Sequence, residues 1–116
     1  SKANSNAFFR VSFRSSPSSS RESPPNPRVM ALTRSLALSP APHKIRVNAI
    51  APGLFNTEMT EGLAETDMGR SLIERIPQGR AAEPAELDGV LLLLASDASS
   101  YMTGATIVVD GGMTLM

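Results

Sequence analysis

The residues best placed to do chemistry in this sequence follow a short apolar run. Ile45-Arg-Val-Asn-Ala-Ile-Ala-Pro-Gly53 reads as a buried strand ending in a Pro-Gly turn, with Thr57 shortly after. Open α/β sheets bind ligands outside the carboxyl ends of their strands. A glycine at such an end lets the main chain approach a ligand closely. A threonine hydroxyl there can donate or accept a hydrogen bond. The alternative is purely structural: a turn that ends the strand, then a helix cap at Thr57.

Other reactive side chains are few. The chain has no cysteine, which excludes disulfides, thiolate zinc sites and cysteine nucleophiles. His43 is the only histidine, and a catalytic or metal role needs partners that its neighbourhood in the sequence does not offer. Tyr101, the only tyrosine, stands in a turn and reads as structural. Arg80 reads as an ion-pair or backbone partner. Asn48 reads as a buried amide bonded to main chain, as buried polar groups must be. Asp110 before Gly111-Gly112 has the chemistry of a turn. No carboxylate pair has a spacing that suggests metal binding or glycoside cleavage. The sequence therefore nominates no catalytic and no metal-binding residue.

These residues need a frame. Val29, Leu32 and Leu36, with Ala31, Ala37 and Leu38, recur at helical spacing and predict a helix over 29–38, stopped by Pro40 and Pro42. Residues 44–50 predict a strand rich in β-branched residues. The connection 54–79 is long, with a helix start at Thr57 and partial helix over 63–76. Its Gly62, Gly69 and Pro77 suggest a movable flap, and long connections in compact domains are often lids. Pro84 opens the clearest helix, with Glu83 and Glu86 complementing its positive end. Leu87, Val90, Leu91 and Leu94 form its apolar face, and Leu92 and Leu93 widen it, so burial on more than one side is expected. A second strand follows at 106–109. Strand, crossover and strand make a βαβ unit with parallel strands.

The first 28 residues are of another character. They hold nine Ser, four Arg, four Pro and one acidic residue. They show neither helical period nor sustained alternation, and the composition predicts a disordered tail. Charge follows the same division. Residues 1–50 carry eight Lys and Arg against one Glu, a net +7, and residues 51–116 carry three Arg against ten Asp and Glu, a net −7. The arginines are scattered and no nucleic-acid motif accompanies them, so no nucleic-acid partner is expected. An Arg- and Ser-rich, acid-poor segment is also the composition of an organelle transit peptide. The longest apolar run, 90–95, is far too short to span a bilayer.

Residues 29–112 closely resemble the C-terminal part of the short-chain dehydrogenase/reductases, of the 3-oxoacyl carrier-protein reductase type and similar ketone or sugar-alcohol reductases. The resemblance runs through ALTRSLAL, HKIRVNAIAPG, the Thr57-Glu-Met59 triplet, IPQGRAAEPAEL and LLLLASDASSYMTGATIVVDGG. It implies a doubly wound Rossmann-type sheet, of which this chain holds a C-terminal fragment: helix, strand, lid, helix, strand. It implies that Pro52, Gly53, Phe55, Thr57 and Met59 form the nicotinamide-side loop of an NAD or NADP site. The main chain near Phe55 and the Thr57 hydroxyl would bond the carboxamide. Residues 57–79 would be the substrate lid, and a small carbonyl compound the substrate. Segments 84–96 and 106–109 would face sister subunits of a homo-oligomer.

The departures are as informative. The family's Gly-rich phosphate loop has no counterpart in these residues. Its Tyr-x-x-x-Lys pair falls, by spacing, on Glu22 and Asn26, which cannot replace it. A tyrosine acts near neutral pH only when a nearby cation lowers its pKa. Ser39-Pro40 breaks a helix that the family continues. The expectation is a truncated or frame-shifted NAD(P)-dependent oxidoreductase, inactive alone, with domains at 1–28 (tail) and 29–116 (partial reductase). The alternatives are a non-catalytic oligomerisation fragment and an organelle-targeted reductase fragment. The expected location is the cytoplasm, or an organelle if residues 1–28 are a transit peptide.

Overall fold

The computed structural model describes residues 7–11 (backbone only), 27–38 and 44–115. Three parallel strands form its sheet: β1 (Ala7–Val11), β2 (Arg46–Pro52) and β3 (Thr106–Val109), in the order β1-β2-β3. The helices are α1 (Pro27–Leu38), α2 (Asp67–Arg75) and α3 (Asp88–Ala95). Short 3-10 turns at Glu58–Thr60, Leu63–Glu65, Pro84–Leu87, Asp97–Ser99 and Met113–Leu115 join them.

β2 is the spine. All seven of its residues are buried, because it is paired on both edges. Ala7 to Val11 align with Arg46 to Ile50, and Thr106 to Val109 align with Ala49 to Pro52. Ile50 and Leu94 are each only 1% exposed and centre the apolar core, with Val47, Ala49, Phe55 and Ile76 around them. Lys44, in left-handed backbone at φ 59°, turns the chain into β2.

Strand β1 takes five residues from the segment that composition reads as a tail. Ala-Phe-Phe-Arg-Val suits a strand by side-chain type, and the edge of β2 supplies the pairing that sequence alone could not show. Helix α1 also starts at Pro27 instead of Val29. Proline is tolerated in the first helical turn, where its missing N–H has no intrahelical partner. Residues 1–6, 12–26 and 39–43, including Glu22, Asn26, Ser39-Pro40 and His43, lie outside the described residues.

Burial is uneven on the helices, and in α3 it falls short of the expectation. Helix α1 buries Thr33 and Ala37, while Leu32 and Leu36 are each 39% exposed. The Thr33 hydroxyl meets its burial by donating to the Val29 carbonyl at 2.7 Å. In α3 only Leu94 is buried, and Leu92 is 70% exposed. Leu91 and Leu93 are half-buried.

A buried arginine ties α3 to the sheet. Arg46 donates through one terminal nitrogen to the Ser99 carbonyl and hydroxyl, both at 2.8 Å, and more weakly to the Met102 carbonyl. Its other terminal nitrogen donates to the carbonyls of Leu94 and Ser96 at 3.1 and 3.2 Å. These include carbonyls at the end of α3, where a cation is favoured. Asn48, 1% exposed, donates to the Met102 carbonyl and accepts from the Ala105 N–H, each at 3.1 Å. The main-chain role read from the sequence is the one it plays.

Candidate functional site

The carboxyl ends of β2 and β3 lie side by side, and Gly53 is where they touch. A β-carbon on Gly53 would stand 2.7 Å from both Cα and Cβ of Asp110. The glycine is thus required by the neighbouring strand, a packing reason that the sequence reading, which had a ligand in view, did not supply. The Gly53 N–H donates to the Val109 carbonyl at 2.9 Å.

Asp110 organises the turn after β3. Its carboxylate accepts from the N–H groups of Gly112 and Thr114, each at 2.9 Å. Burial opposes its ionisation, but hydrogen bonds from the Thr114 hydroxyl and from the Gly112, Thr114 and Met113 main chain outweigh that, and its carboxyl sits below the usual range. Gly111 and Gly112 take positive φ, 63° and 94°, against Ile76 and Pro77.

After Gly53 the chain makes one bridge and one tight turn. Phe55 is buried and bridges Ala82: the Asn56 N–H donates to the Ala82 carbonyl, and the Ala82 N–H to the Leu54 carbonyl. Thr60 then closes the loop. Its hydroxyl donates to the Phe55 carbonyl at 2.7 Å and accepts from the Thr57 N–H at 2.9 Å. The Thr60 N–H donates to the Thr57 carbonyl at 3.0 Å. Thr57 therefore does start a helical turn, as the structural alternative expected. Thr60 was missed. Its signal was its place three residues after Thr57, where a polar side chain can reach back to the cap.

The five nominated residues share one loop but not one surface. Pro52 and Phe55 are buried, Gly53 and Thr57 are half-buried, and Met59 is 81% exposed. The Phe55 ring belongs to the core, so its main chain is what it can offer. Its carbonyl is held by Thr60, and its N–H makes no hydrogen bond among the described residues. Thr57 lines an open hollow of about 470 Å³ between this loop and the segment that follows.

That segment carries α2. Thr66 caps α2 by accepting from the Gly69 N–H at 3.0 Å. Gly69 is a packing glycine, because a β-carbon there would overlap the Leu63 carbonyl. The far rim is braced by ions. Arg80 forks onto Glu86 at 2.8 and 2.7 Å, and Glu86 also accepts from the Glu83 N–H at 2.8 Å. The side chain of Glu83 accepts from Asn56 at 2.6 Å. The Arg80 hydrogen bonds, then the Glu83 N–H, hold the Glu86 carboxyl down at about 2. Arg80 is thus the structural ion-pair partner read from the sequence. No cluster of three or more potential metal ligands occurs among the described residues.

The family model described as enoyl-(acyl carrier protein) reductase matches residues 27–114. The chain belongs to the short-chain dehydrogenase/reductases. Its fold is an α/β segment of their Rossmann-type sheet. It is similar to a short-chain dehydrogenase of Penicillium roqueforti, 49% identical over 75% of this chain and 32% of the relative. It is similar also to a 3-oxoacyl-[acyl-carrier-protein] reductase of Thermotoga maritima, 47% identical over 75% of this chain and 35% of the relative. Among solved structures, a putative 2-deoxy-D-gluconate 3-dehydrogenase from Agrobacterium tumefaciens, with bound NADP, superposes with a TM-score of 0.71. It is 40% identical, over 76% of this chain and 36% of that one. The chain thus spans about a third of the length of the reductases it matches. No helix among the described residues is long and apolar enough to cross a membrane.

Proposed function

We propose that these residues form the nicotinamide side and substrate lid of an NAD(P)-dependent oxidoreductase, and that the 116 residues alone do not turn over. The observation that carries the reading is the buried Phe55, whose N–H has no described partner, beside the half-buried Thr57 hydroxyl at the end of β2. A donor of that kind suits a carboxamide, and the residues fit that end of the cofactor. When bound, the nicotinamide supplies the hydride chemistry between a carbonyl and an alcohol. The chain's own part is to position it. Phe55 and Thr57 would hold the carboxamide through N–H and hydroxyl, with Thr60 fixing the loop behind them. Residues 57–79 would cover the substrate.

The 116 residues offer no Gly-rich phosphate loop and no Tyr-x-x-x-Lys. Purified as such, the chain is expected to leave NADH and NADPH unconsumed with a panel of ketones; steady oxidation above the blank would refute the inactivity.

One further observation favours association. Leu92 on α3 and Val108 on β3 are apolar and 70% and 40% exposed. We place the subunit contacts at 84–96 and 106–109, between copies of this chain or with a longer homologue. We place the protein in the cytoplasm, with import of a fusion to residues 1–28 as the test of the organelle alternative.

A further inference from the structure

We propose that the hollow beside Thr57 selects a neutral carbonyl compound and disfavours an anionic one. The inference rests on the reading of residues 57–79 as the substrate lid, and it names the substrate class of that site. The cavity of about 470 Å³ has an apolar wall that includes Leu54, Leu63 and Ile73. Such a wall suits a short carbon chain or ring face. Of its polar side chains, Asn56 is bonded to Glu83 and Thr60 to the Phe55 carbonyl, and the rest are of two kinds. One is the hydroxyl of Thr57, which the proposed carboxamide contact takes and which lies 3.4 Å from the Thr60 hydroxyl. The other is the pair of carboxylates Glu58 and Glu61, both on the lining.

Among the described residues, no Lys, Arg or His lines the hollow. Two neighbouring arginines are already engaged, Arg70 with Asp67 and Arg80 with Glu86. A carboxylate or phosphate entering here would meet two like charges and, among the described residues, no counter-ion. Like charges a few ångströms apart near a surface repel appreciably, and salt screens that repulsion. A neutral ketone or hydroxyketone meets no such opposition. This sets the chain apart from a site built for a sugar acid, where a basic side chain would be expected to hold the acid group.

The test is a matched pair. 5-Oxohexanamide and 5-oxohexanoate have nearly the same shape and differ in charge. Each is titrated into the 116-residue chain at low salt and followed by backbone amide NMR. The expected result is that the amide ligand shifts residues 54–64 and 73, and that the carboxylate binds about tenfold more weakly. The exposed pair E58Q/E61Q should narrow that ratio to within about twofold, and so should high salt. Equal affinities, a ratio that persists in the double variant, or no binding of either ligand would each overturn the proposal. A separate titration with nicotinamide mononucleotide reads the cofactor site, so the two readings fail independently.

Discussion

Thr60 carries more of the strand-end loop than any residue the sequence nominated. Its hydroxyl satisfies the Phe55 carbonyl and the Thr57 N–H together. Thr60→Val keeps the shape and removes both bonds, which should cost about 1–2 kcal/mol. Thr60→Ser should recover most of that in chemical denaturation, and equal losses in the two variants would show that the hydroxyl is idle. Gly53 makes a second residue-scale claim. Gly53→Ala forces a β-carbon against Asp110 and should destabilise by about 1–3 kcal/mol. An unchanged denaturation midpoint would mean the two strand ends are looser than described. Asn48 and Asp110 were legible in the sequence because short polar side chains beside a strand end or a Gly-Gly turn have few uses other than main-chain hydrogen bonds. Gly53 was legible as a special position but not for its reason, since Asp110 is far off in sequence.

At the scale of elements, α1, β2 and β3 were readable from apolar spacing and from the Pro and Gly that bound them. The joint between α3 and β2 was not. Arg46 interrupts an apolar strand, the one hint available, but its acceptors are about 50 residues away. Arg46→Met fills similar space and leaves those carbonyls without the guanidinium. It should cost about 3 kcal/mol and should speed amide exchange at residues 94–102 more than in α1. Uniform exchange across the chain would argue against a local tie. The Arg80–Glu86 brace adds a pH dependence. Its folded carboxyl is depressed to about 2 from an ordinary 4.5. Its support is therefore full above the ordinary value and is lost as pH falls toward the folded one. Amides of 80–87 should hold their shifts down to about pH 3 and move below it. A Glu86 titration midpoint at its ordinary value would show the fork does not persist in solution.

At the scale of the molecule, the tail was the part least legible. Residues 7–11 lack periodicity, and their pairing depends on an edge of β2 that local sequence does not show. The same limit governs α3. Its run of leucines promises burial on several sides, yet within this chain Leu92 faces outward. Leu92→Glu should therefore lower self-association measured by light scattering without lowering thermal stability, and a stability loss instead would place Leu92 in the core. The central claim concerns the loop at the end of β2. It is tested most directly by amide NMR of the 116-residue chain titrated separately with nicotinamide mononucleotide and with AMP. The nicotinamide compound should move the amides of residues 53–57, and AMP should not. Unmoved amides there, or equal responses to both compounds, would contradict it.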